Sequence, residues 1–451
     1  MNLGEAMVKT IRHFFPEFNA WLDKVPDSRF FPFVVYDKRF LVWWGLSLFL
    51  FQLGSRRQLD FDLDARGTHV LDNLNRLANT EQETRPVNKT LHHFLGHTGA
   101  TAYAQLRSRM IQRLIRMKAL DAARLQGNLV VLVDGTGQVS FRERHCPHCL
   151  VYEHETHTSY QHKVLEAKLL GPADLTLSIA SEFIDNSDDN GVGSVETRKQ
   201  DCELKAISRL MPALRHDFPQ LRLCLGGDSL FACGRVLQLA KDHDCSYVLT
   251  FKEGHMPAVW ADFQALLKEC PQNVLERTTV EGAHQVYRWV HDLSYDDDQK
   301  RTWQFHALQC LETVGDRTTT FAWITNLRVQ ASTVVDIATK GGRARWHIEN
   351  QGFNRQKNSG FNLEHVFCTD PELLKAYYYL LQIAHIIMQI FEVSSLLRQL
   401  AQECGQTPWQ LFGSLKNLAR RLLESFRYFA FSAAVFTSGQ SHRIYFHVDS
   451  S

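Results

Sequence analysis

Two short apolar runs, each followed by an aspartate, constrain the fold of this chain most. Residues 130–133 (Val-Val-Leu-Val) precede Asp134, and residues 223–227 (Leu-Cys-Leu-Gly-Gly) precede Asp228. Such runs are of strand length and typical of buried strands. A desolvated carboxylate without a partner is costly, so two aspartates at strand ends predict a compensating cation. The alternative for Asp134 is an ordinary turn, because Asp-Gly is also a turn signal.

The pattern around these two runs predicts an α/β core, because strand-like and helix-like segments alternate there. The expected strands are 128–133, 163–170, 175–183, 221–225 and 246–251, and the expected helices are 199–214 and 234–242. Several polar-punctuated β-rich segments follow, and helical spacing returns after them. We expect five regions, which are a helical part (1–120), the first part of the core (121–270), a β-rich insertion (271–330), the rest of the core (331–395) and a basic helical part (396–451).

A third acid, Glu349, lies in a helix-like segment, Arg345-Trp-His-Ile-Glu-Asn. Carboxylate oxygens are the ligands that Mg²⁺ takes in proteins. Asp134, Asp228 and Glu349 together could hold a pair of divalent cations for phosphodiester chemistry. Taken singly, each acid is more often a turn residue or a helix cap.

The net charge of +1 over 451 residues gives no overall basic field, so a polyanion would have to bind local patches. Residues 66–118 carry nine Lys or Arg and three acids. Arg109, Arg113 and Arg116 share a helical face in that range. The face could be simply solvated, or it could follow a DNA backbone.

Two apolar stretches, 40–55 and 376–391, are each 16 residues long. Because a membrane span needs about 20 apolar residues, we expect both to be buried core helices and no membrane partner. The ten cysteines are scattered without the spacing of a small disulfide-rich domain, which favours a reducing cytoplasm.

One pair of cysteines has metal-site spacing, Cys146-x-x-Cys149. A structural Zn²⁺ needs four ligands, so a second pair would have to come from elsewhere. The candidates in sequence are His145, His148, His154, His157 and Cys202. The alternative is two reduced thiols in a loop.

Three blocks of this chain resemble bacterial insertion-sequence transposases of the DDE superfamily, in the branch with a β-rich insertion before the glutamate. They are Asp134-Gly-Thr, Gly227-Asp228-Ser-Leu-Phe, and the segment from Arg345-Trp-His-Ile-Glu349 to Phe361-Asn-Leu-Glu-His. The segments Cys146-Pro-His-Cys149 and Lys199-Gln-Asp-Cys-Glu203 are similar to one subgroup of that branch. The resemblance covers residues of about 128–390.

This resemblance implies an RNase H-like catalytic core in which Asp134, Asp228 and Glu349 are catalytic and bind two Mg²⁺ or Mn²⁺ ions. It also implies that Arg345 binds phosphate, although an i, i+4 ion pair with Glu349 is the alternative. The family's tyrosine falls on Gly342, which does not match. Its lysine falls on Gln356, and Lys357 is one place further.

The activity implied is cleavage of DNA at the element's ends and transfer of the 3′-hydroxyl into target DNA. The N-terminal helices would bind the terminal inverted repeats, and a homodimer would hold the paired ends at the nucleoid. Lys252 could approach phosphate, and Trp303 or Trp323 could stack on a displaced base, unless they are a surface lysine and core tryptophans. Two other readings remain, a nuclease that does not join and a silent DNA-binding protein descended from a transposase.

Overall fold

The computed structural model describes residues 1–64, 66–186, 200–436 and 444–446. Ten strands form one mixed sheet in the order β2-β3-β1-β5-β6-β10-β9-β8-β7, and β4 pairs with β3 beside β2. The strands are β1 (Leu129–Phe141), β2 (Leu150–Glu153), β3 (Thr158–Leu170), β4 (Thr176–Ile184), β5 (Leu223–Gly227), β6 (Ser246–Thr250), β7 (Val274–Thr278), β8 (His284–Asp296), β9 (Thr302–Val314) and β10 (Arg317–Thr325).

Helices cover both faces of this sheet and make up most of the described residues before β1 and after β10. They are α1 (Leu3–Phe14), α2 (Phe18–Leu22), α3 (Lys38–Leu50), α4 (Arg56–Asp62), α5 (Val70–Ala78), α6 (Asn88–Thr98), α7 (Ala100–Arg116), α8 (Glu203–Asp217), α9 (Gly234–Asp242), α10 (Pro257–Glu269), α11 (Val334–Asp336), α12 (Arg355–Asn358), α13 (Pro371–Glu392), α14 (Ser395–Glu403), α15 (Pro408–Phe412), α16 (Leu415–Tyr428) and α17 (Ala433–Phe436). Short 3-10 turns are Phe31–Phe33, Asp121–Ala123 and Ser229–Phe231.

The centre of the sheet is a parallel trio, in which β5 lies between β1 and β6. Side chains of β1 alternate between two apolar cores, so Val131 and Val133 face one and Val130 and Leu132 face the other. Helix α8 contributes to the first core, and the segment 334–358 contributes to the second. The mixed α/β class predicted from the sequence is confirmed.

One expectation about β1 was wrong. Asp134 does not end its strand, because β1 continues to Phe141. The antiparallel partner β3 keeps pairing along this extension, whereas the pairing with β5 stops at Leu132 and Gly226. An apolar run therefore marked where one neighbour leaves β1 and not where the strand stops.

The strands of the predicted insertion extend the central sheet. Strand β10 pairs antiparallel with β6, with Trp323 opposite Thr250, and β9, β8 and β7 follow outward. The sheet therefore runs without a break from the parallel trio into the β-rich region.

Both apolar stretches are core helices, as predicted. In α3, residues 40–50 are all buried, and α13 is buried from Ala376 to Phe391. The two helices pack against each other. A search of the described helices found none with the length and hydropathy to cross a bilayer.

The segment 334–358 contains two π-helical turns. After α11, a π-helix runs over Ile337–Gly342, a 3-10 turn over Arg343–Arg345 and a second π-helix over Ile348–Asn354, before α12. A π turn bonds i to i+5 and so holds one residue more than an α turn. Each such turn moves the downstream side chains round the axis by one position.

Candidate active site

Asp134 and Asp228 lie side by side at the point where β1 and β5 part. The last parallel pair between these strands is Leu132 with Gly226, and each aspartate is two residues further on. The Asp228 carboxylate accepts a hydrogen bond from the Leu230 backbone N–H at 2.9 Å, which caps the 3-10 turn after β5. The sequence pattern predicted this neighbourhood correctly for Asp228, which directly follows β5.

Glu349 reaches the same place from the 334–358 segment. The Arg345 guanidinium Nη1 lies 2.5 Å from the Glu349 Oε1 and 3.9 Å from the Asp134 Oδ2. One nitrogen atom therefore contacts carboxylates from the strand and from the helix. Arg345 forms the i, i+4 ion pair that was the alternative to phosphate binding, and it bridges to Asp134 as well.

A fourth carboxylate, Glu203, was not among the expected site residues. It is the first residue of α8, and its Oε1 lies 2.1 Å from where a Cβ on Gly135 would be. A Cβ on Gly135 would force the Glu203 side chain to move, and Gly135 lies within β1 and not at a turn. Glu203 appeared in sequence only inside the segment Lys199–Glu203, of which Lys199 lies outside the described residues.

The electrostatics of the site are those of crowded acids. The pKa of Asp134 is raised to about 7, chiefly by burial and also by the Glu203 and Asp228 carboxylates, against the opposing effects of the Gly135 N–H and Arg345. Burial also raises the pKa of Glu203, with the Asp228 charge adding to it and Lys163 opposing it. The nearby basic side chains, Arg345 and Lys163, do not offset the rise in pKa of these two acids.

Lys357 lies on the outer side of α12, where its Nζ is 2.7 Å from the Glu364 Oε1. The Glu364 Oε1 is 3.9 Å from a Cβ position on Gly137, three residues along β1 from Asp134. Gln356, at the family's lysine position, is instead fully buried and donates to Gln382 at 2.8 Å. The π turn at Ile348–Asn354 holds one residue more than an α turn, so Lys357 takes the direction that residue 356 would have on an α-helix.

The other residues predicted to contact DNA lie on two separate parts of the fold. Lys252 is exposed just after β6. Helix α7 packs against α13 and β4. On it Arg109 is half-buried, Arg116 is exposed, and the Arg113 Nη1 is 3.9 Å from the Glu17 Oε1.

The two tryptophans differ in their access to a base. Trp303 is partly exposed, donates from Nε1 to the Asp297 Oδ2 at 2.9 Å, and lines a surface cavity of about 530 Å³ with Lys241 and Arg301. Trp323 is only 3% exposed and packs onto Gly342. Base stacking by Trp323 was therefore wrong for this conformation, because its ring belongs to the core.

Cys146 and Cys149 lie together with a histidine that was not among the predicted partners. The His162 Nε2, on β3, is 3.3 Å from the Cys146 Sγ and 3.4 Å from the Cys149 Sγ. Cys202, an expected partner, instead precedes α8 and is exposed. The spacing of His162 from the two cysteines could have identified it in sequence, since C-x₂-C-x₁₂-H is the first part of a zinc-finger pattern.

Within the described parts of the chain, Cys146, Cys149 and His162 are the one group of three or more His, Cys, Asp or Glu residues whose ligand atoms all lie within 4.8 Å of one another. The carboxylates of Asp134, Asp228 and Glu349 are more widely spread. A site for two cations about 3.5–4 Å apart also spans more space than a site for one. No protein-family model matched this chain, and a comparison with curated protein sequences gave no match either.

Proposed function

We propose that this chain is a DNA transposase with an RNase H-like catalytic core. The observation that carries the proposal is the position of Asp134 and Asp228 on two adjacent parallel strands, with Glu349 linked to Asp134 through Arg345. They are far apart in sequence, and Arg345 contacts the strand and the helix carboxylates through one nitrogen.

The residues present suit divalent cations. The donors are carboxylate oxygens, which Mg²⁺ and Mn²⁺ accept. The raised pKa of Asp134 is the mark of a buried acid whose neighbours include further acids, Glu203 and Asp228. A pair of divalent ions bound there would stabilise the attacking and leaving oxygens of a phosphodiester displacement.

The reaction has two displacements at phosphorus. In the first, a water oxygen bonds to the phosphorus at the element's end, and the bond to the 3′-oxygen breaks and that oxygen is protonated. In the second, the freed 3′-hydroxyl loses its proton and bonds to a target phosphorus while the target's own 3′-oxygen leaves. With cations on the acids, Arg345 would turn from Glu349 and Asp134 to the phosphate being attacked, and Lys357 on α12 is the second candidate for that contact.

DNA outside the acid site would lie on basic helices at both ends of the chain. Arg109 and Arg116 on α7 are candidates for contacts with the terminal repeats. Arg420 on α16 is 68% exposed on its side chain and is a candidate at the C-terminal end. Two chains on paired ends would make the working form a homodimer.

The test uses a DNA duplex that ends in the inverted repeat flanking the gene. The wild-type chain should cut it at the repeat end with Mg²⁺ or Mn²⁺, and not in EDTA. Asp134→Ala and Glu349→Ala should abolish cutting while retaining binding of the repeat. The control, Asp262→Asn on the exposed face of α10, should cut like the wild type. Full cleavage by either site variant would refute the assignment.

Two rival functions give different results in a second assay, which supplies DNA already cut at the repeat end. A transposase joins the 3′-hydroxyl of this DNA to a plasmid target. A nuclease of the same fold cuts the uncut duplex and joins nothing. A silent DNA-binding descendant binds the repeat and does neither.

A further inference from the structure

The loop between β1 and β2 brings two thiols onto a histidine of β3. The Sγ atoms of Cys146 and Cys149 are 3.3 Å apart, and the His162 Nε2 is 3.3 and 3.4 Å from them. Cys149 and His162 are buried, 0% and 7% exposed, and Cys146 is partly so. The three ligand atoms form a nearly equilateral triangle at one edge of the sheet.

We propose that this triangle is a structural zinc site, distinct from the carboxylate site and independent of the proposed function. In tetrahedral zinc with bonds of 2.0–2.3 Å, two ligand atoms lie about 3.5–3.8 Å apart. The measured separations are only slightly shorter, so a small outward movement of each side chain admits the ion. Two thiolates and an imidazole are a donor set that zinc prefers and that Mg²⁺ does not.

The fourth position has a candidate in the same loop. Among the described residues, the His148 Nδ1 is buried and has no hydrogen-bond partner; His148 is not in the group whose ligand atoms all lie within 4.8 Å, so its ring would have to turn toward the triangle. An imidazole there would complete a Cys₂His₂ set; a water molecule would complete it otherwise.

A disulfide between the two cysteines is the competing arrangement. Its sulfurs would lie about 2.05 Å apart, well inside the separation observed here. A short C-x-x-C loop with a third ligand on the neighbouring strand is the geometry that metal binding requires.

The zinc would fasten one end of the carboxylate site. The Cys149 carbonyl accepts from the Asn186 side-chain amide at 3.1 Å, and the Asn186 Oδ1 accepts from the Asp201 backbone N–H at 3.1 Å. Gln200 pairs with the Val151 backbone through both side-chain atoms, at 2.5 and 2.7 Å. These bonds connect the cysteine loop to the start of α8 and therefore to Glu203.

The experiment measures zinc in the full chain, purified without a metal-affinity tag and dialysed in metal-free buffer with a non-chelating reductant. The wild type should retain about one zinc ion per chain, as measured by inductively coupled plasma mass spectrometry. Cys149→Ser and His162→Asn should each lose most of it. Cys404→Ser, which changes an exposed cysteine, and Asp134→Asn should retain it, because neither touches the triangle.

A variant-free measurement guards against misfolding of the ligand variants. Cobalt(II) added to the reduced, zinc-stripped wild type should give the thiolate-to-cobalt charge-transfer band and the strong visible bands of a tetrahedral ion. Chelation of zinc should speed hydrogen exchange in 146–153 and 200–206 before other segments respond. Folded, reduced protein that holds no zinc and gives no charge-transfer band would overturn the proposal, as would unchanged zinc in both ligand variants. Loss of DNA cleavage in Asp134→Ala with zinc retained would leave the two sites separately assigned.

Discussion

Folding buries the Asp134 carboxylate and so makes its ionised form less stable. Its side chain is 20% exposed, and the ionised form has acids on two sides. From an ordinary value of 3.8 to about 7, the penalty for ionising Asp134 in the folded chain is at most about 4 kcal/mol. A site that destabilises the free protein in this way is one that a bound cation stabilises.

The first prediction concerns stability against pH in EDTA. Because the folded pKa of Asp134 is above the unfolded one, its contribution is fully present below pH 4 and is lost as pH rises to 7. Asp134→Asn should therefore be more stable than wild type at pH 8 by up to about 4 kcal/mol, with a smaller difference at pH 5. Urea denaturation at both values measures it, with Asp262→Asn as the control. An equal difference at both pH values would contradict the raised pKa.

The second prediction concerns Glu203. Its carboxylate lies against Gly135 and acts electrostatically on Asp134 and Asp228, so it should help hold a divalent cation. Glu203→Gln keeps the shape and removes the charge. The Mg²⁺ concentration for half-maximal thermal stabilisation should rise about tenfold, equivalent to about 1.4 kcal/mol. Glu281→Gln, at an exposed turn, is the control, and unchanged Mg²⁺ dependence would remove Glu203 from the site.

The sequence carries local information about these residues but little about what approaches them. Asp228 could be placed because it directly follows an apolar run, and the C-x₂-C pair was visible by spacing. Glu203 could not be placed, because its role depends on a missing Cβ at Gly135 and on the angle at which α8 meets the sheet. Burial of Trp323 depended in the same way on the space above Gly342.

At the scale of elements, the 334–358 segment shows how a local departure from α-helix decides which side chains are available. An α-helical reading puts Gln356 in the lysine position and leaves Lys357 displaced. With the π turn over Ile348–Asn354, Gln356 is buried and the Lys357 side chain is partly exposed. Hydrophobic spacing predicted the helix but not its π turns, since spacing does not register close tertiary packing such as the Lys168 methylenes against Gly352.

The third prediction distinguishes a structural role of Gln356 from a role of Lys357 in cleavage. Gln356→Ala should destabilise the fold by about 1–3 kcal/mol, because it removes the acceptor of the buried Gln382 Nε2 and a hydrogen bond to the buried His385. Lys357→Ala should change stability by less than about 1 kcal/mol, because its ion pair with Glu364 is partly exposed. Lys357→Ala should instead slow cleavage of repeat DNA, and Lys357→Arg should restore part of it. Urea denaturation and the rate of DNA cleavage are measured for both variants. Loss of stability in Lys357→Ala with slow cleavage only in Gln356→Ala would contradict the prediction.

At the scale of the whole molecule, the two chain ends form one helical assembly. The Gly4 backbone N–H donates to the Ser425 Oγ at 2.9 Å, and α1 packs on α16 and α17. One apolar core contains residues of the N-terminal helices, the sheet and the C-terminal helices. That core therefore runs across several of the five regions expected from the sequence pattern.

Asn73 tests this joining of the ends. It is fully buried on α5, its side-chain amide donates to the carbonyls of Phe426 and Phe429 at 2.9 and 2.8 Å, and its Oδ1 accepts from the Phe431 N–H at 3.0 Å. Asn73→Ala leaves these three backbone groups without their partner.

The fourth prediction is that Asn73→Ala lowers the free energy of unfolding by about 2–4 kcal/mol. Asn417→Ala, on the exposed face of α16, should change it by less than about 0.5 kcal/mol. Because α5 and α16 share one core, intrinsic fluorescence and far-ultraviolet circular dichroism should report a single transition that shifts together in the variant. Two separate transitions, with only the later one moved by the substitution, would show instead that the ends fold independently of the sheet.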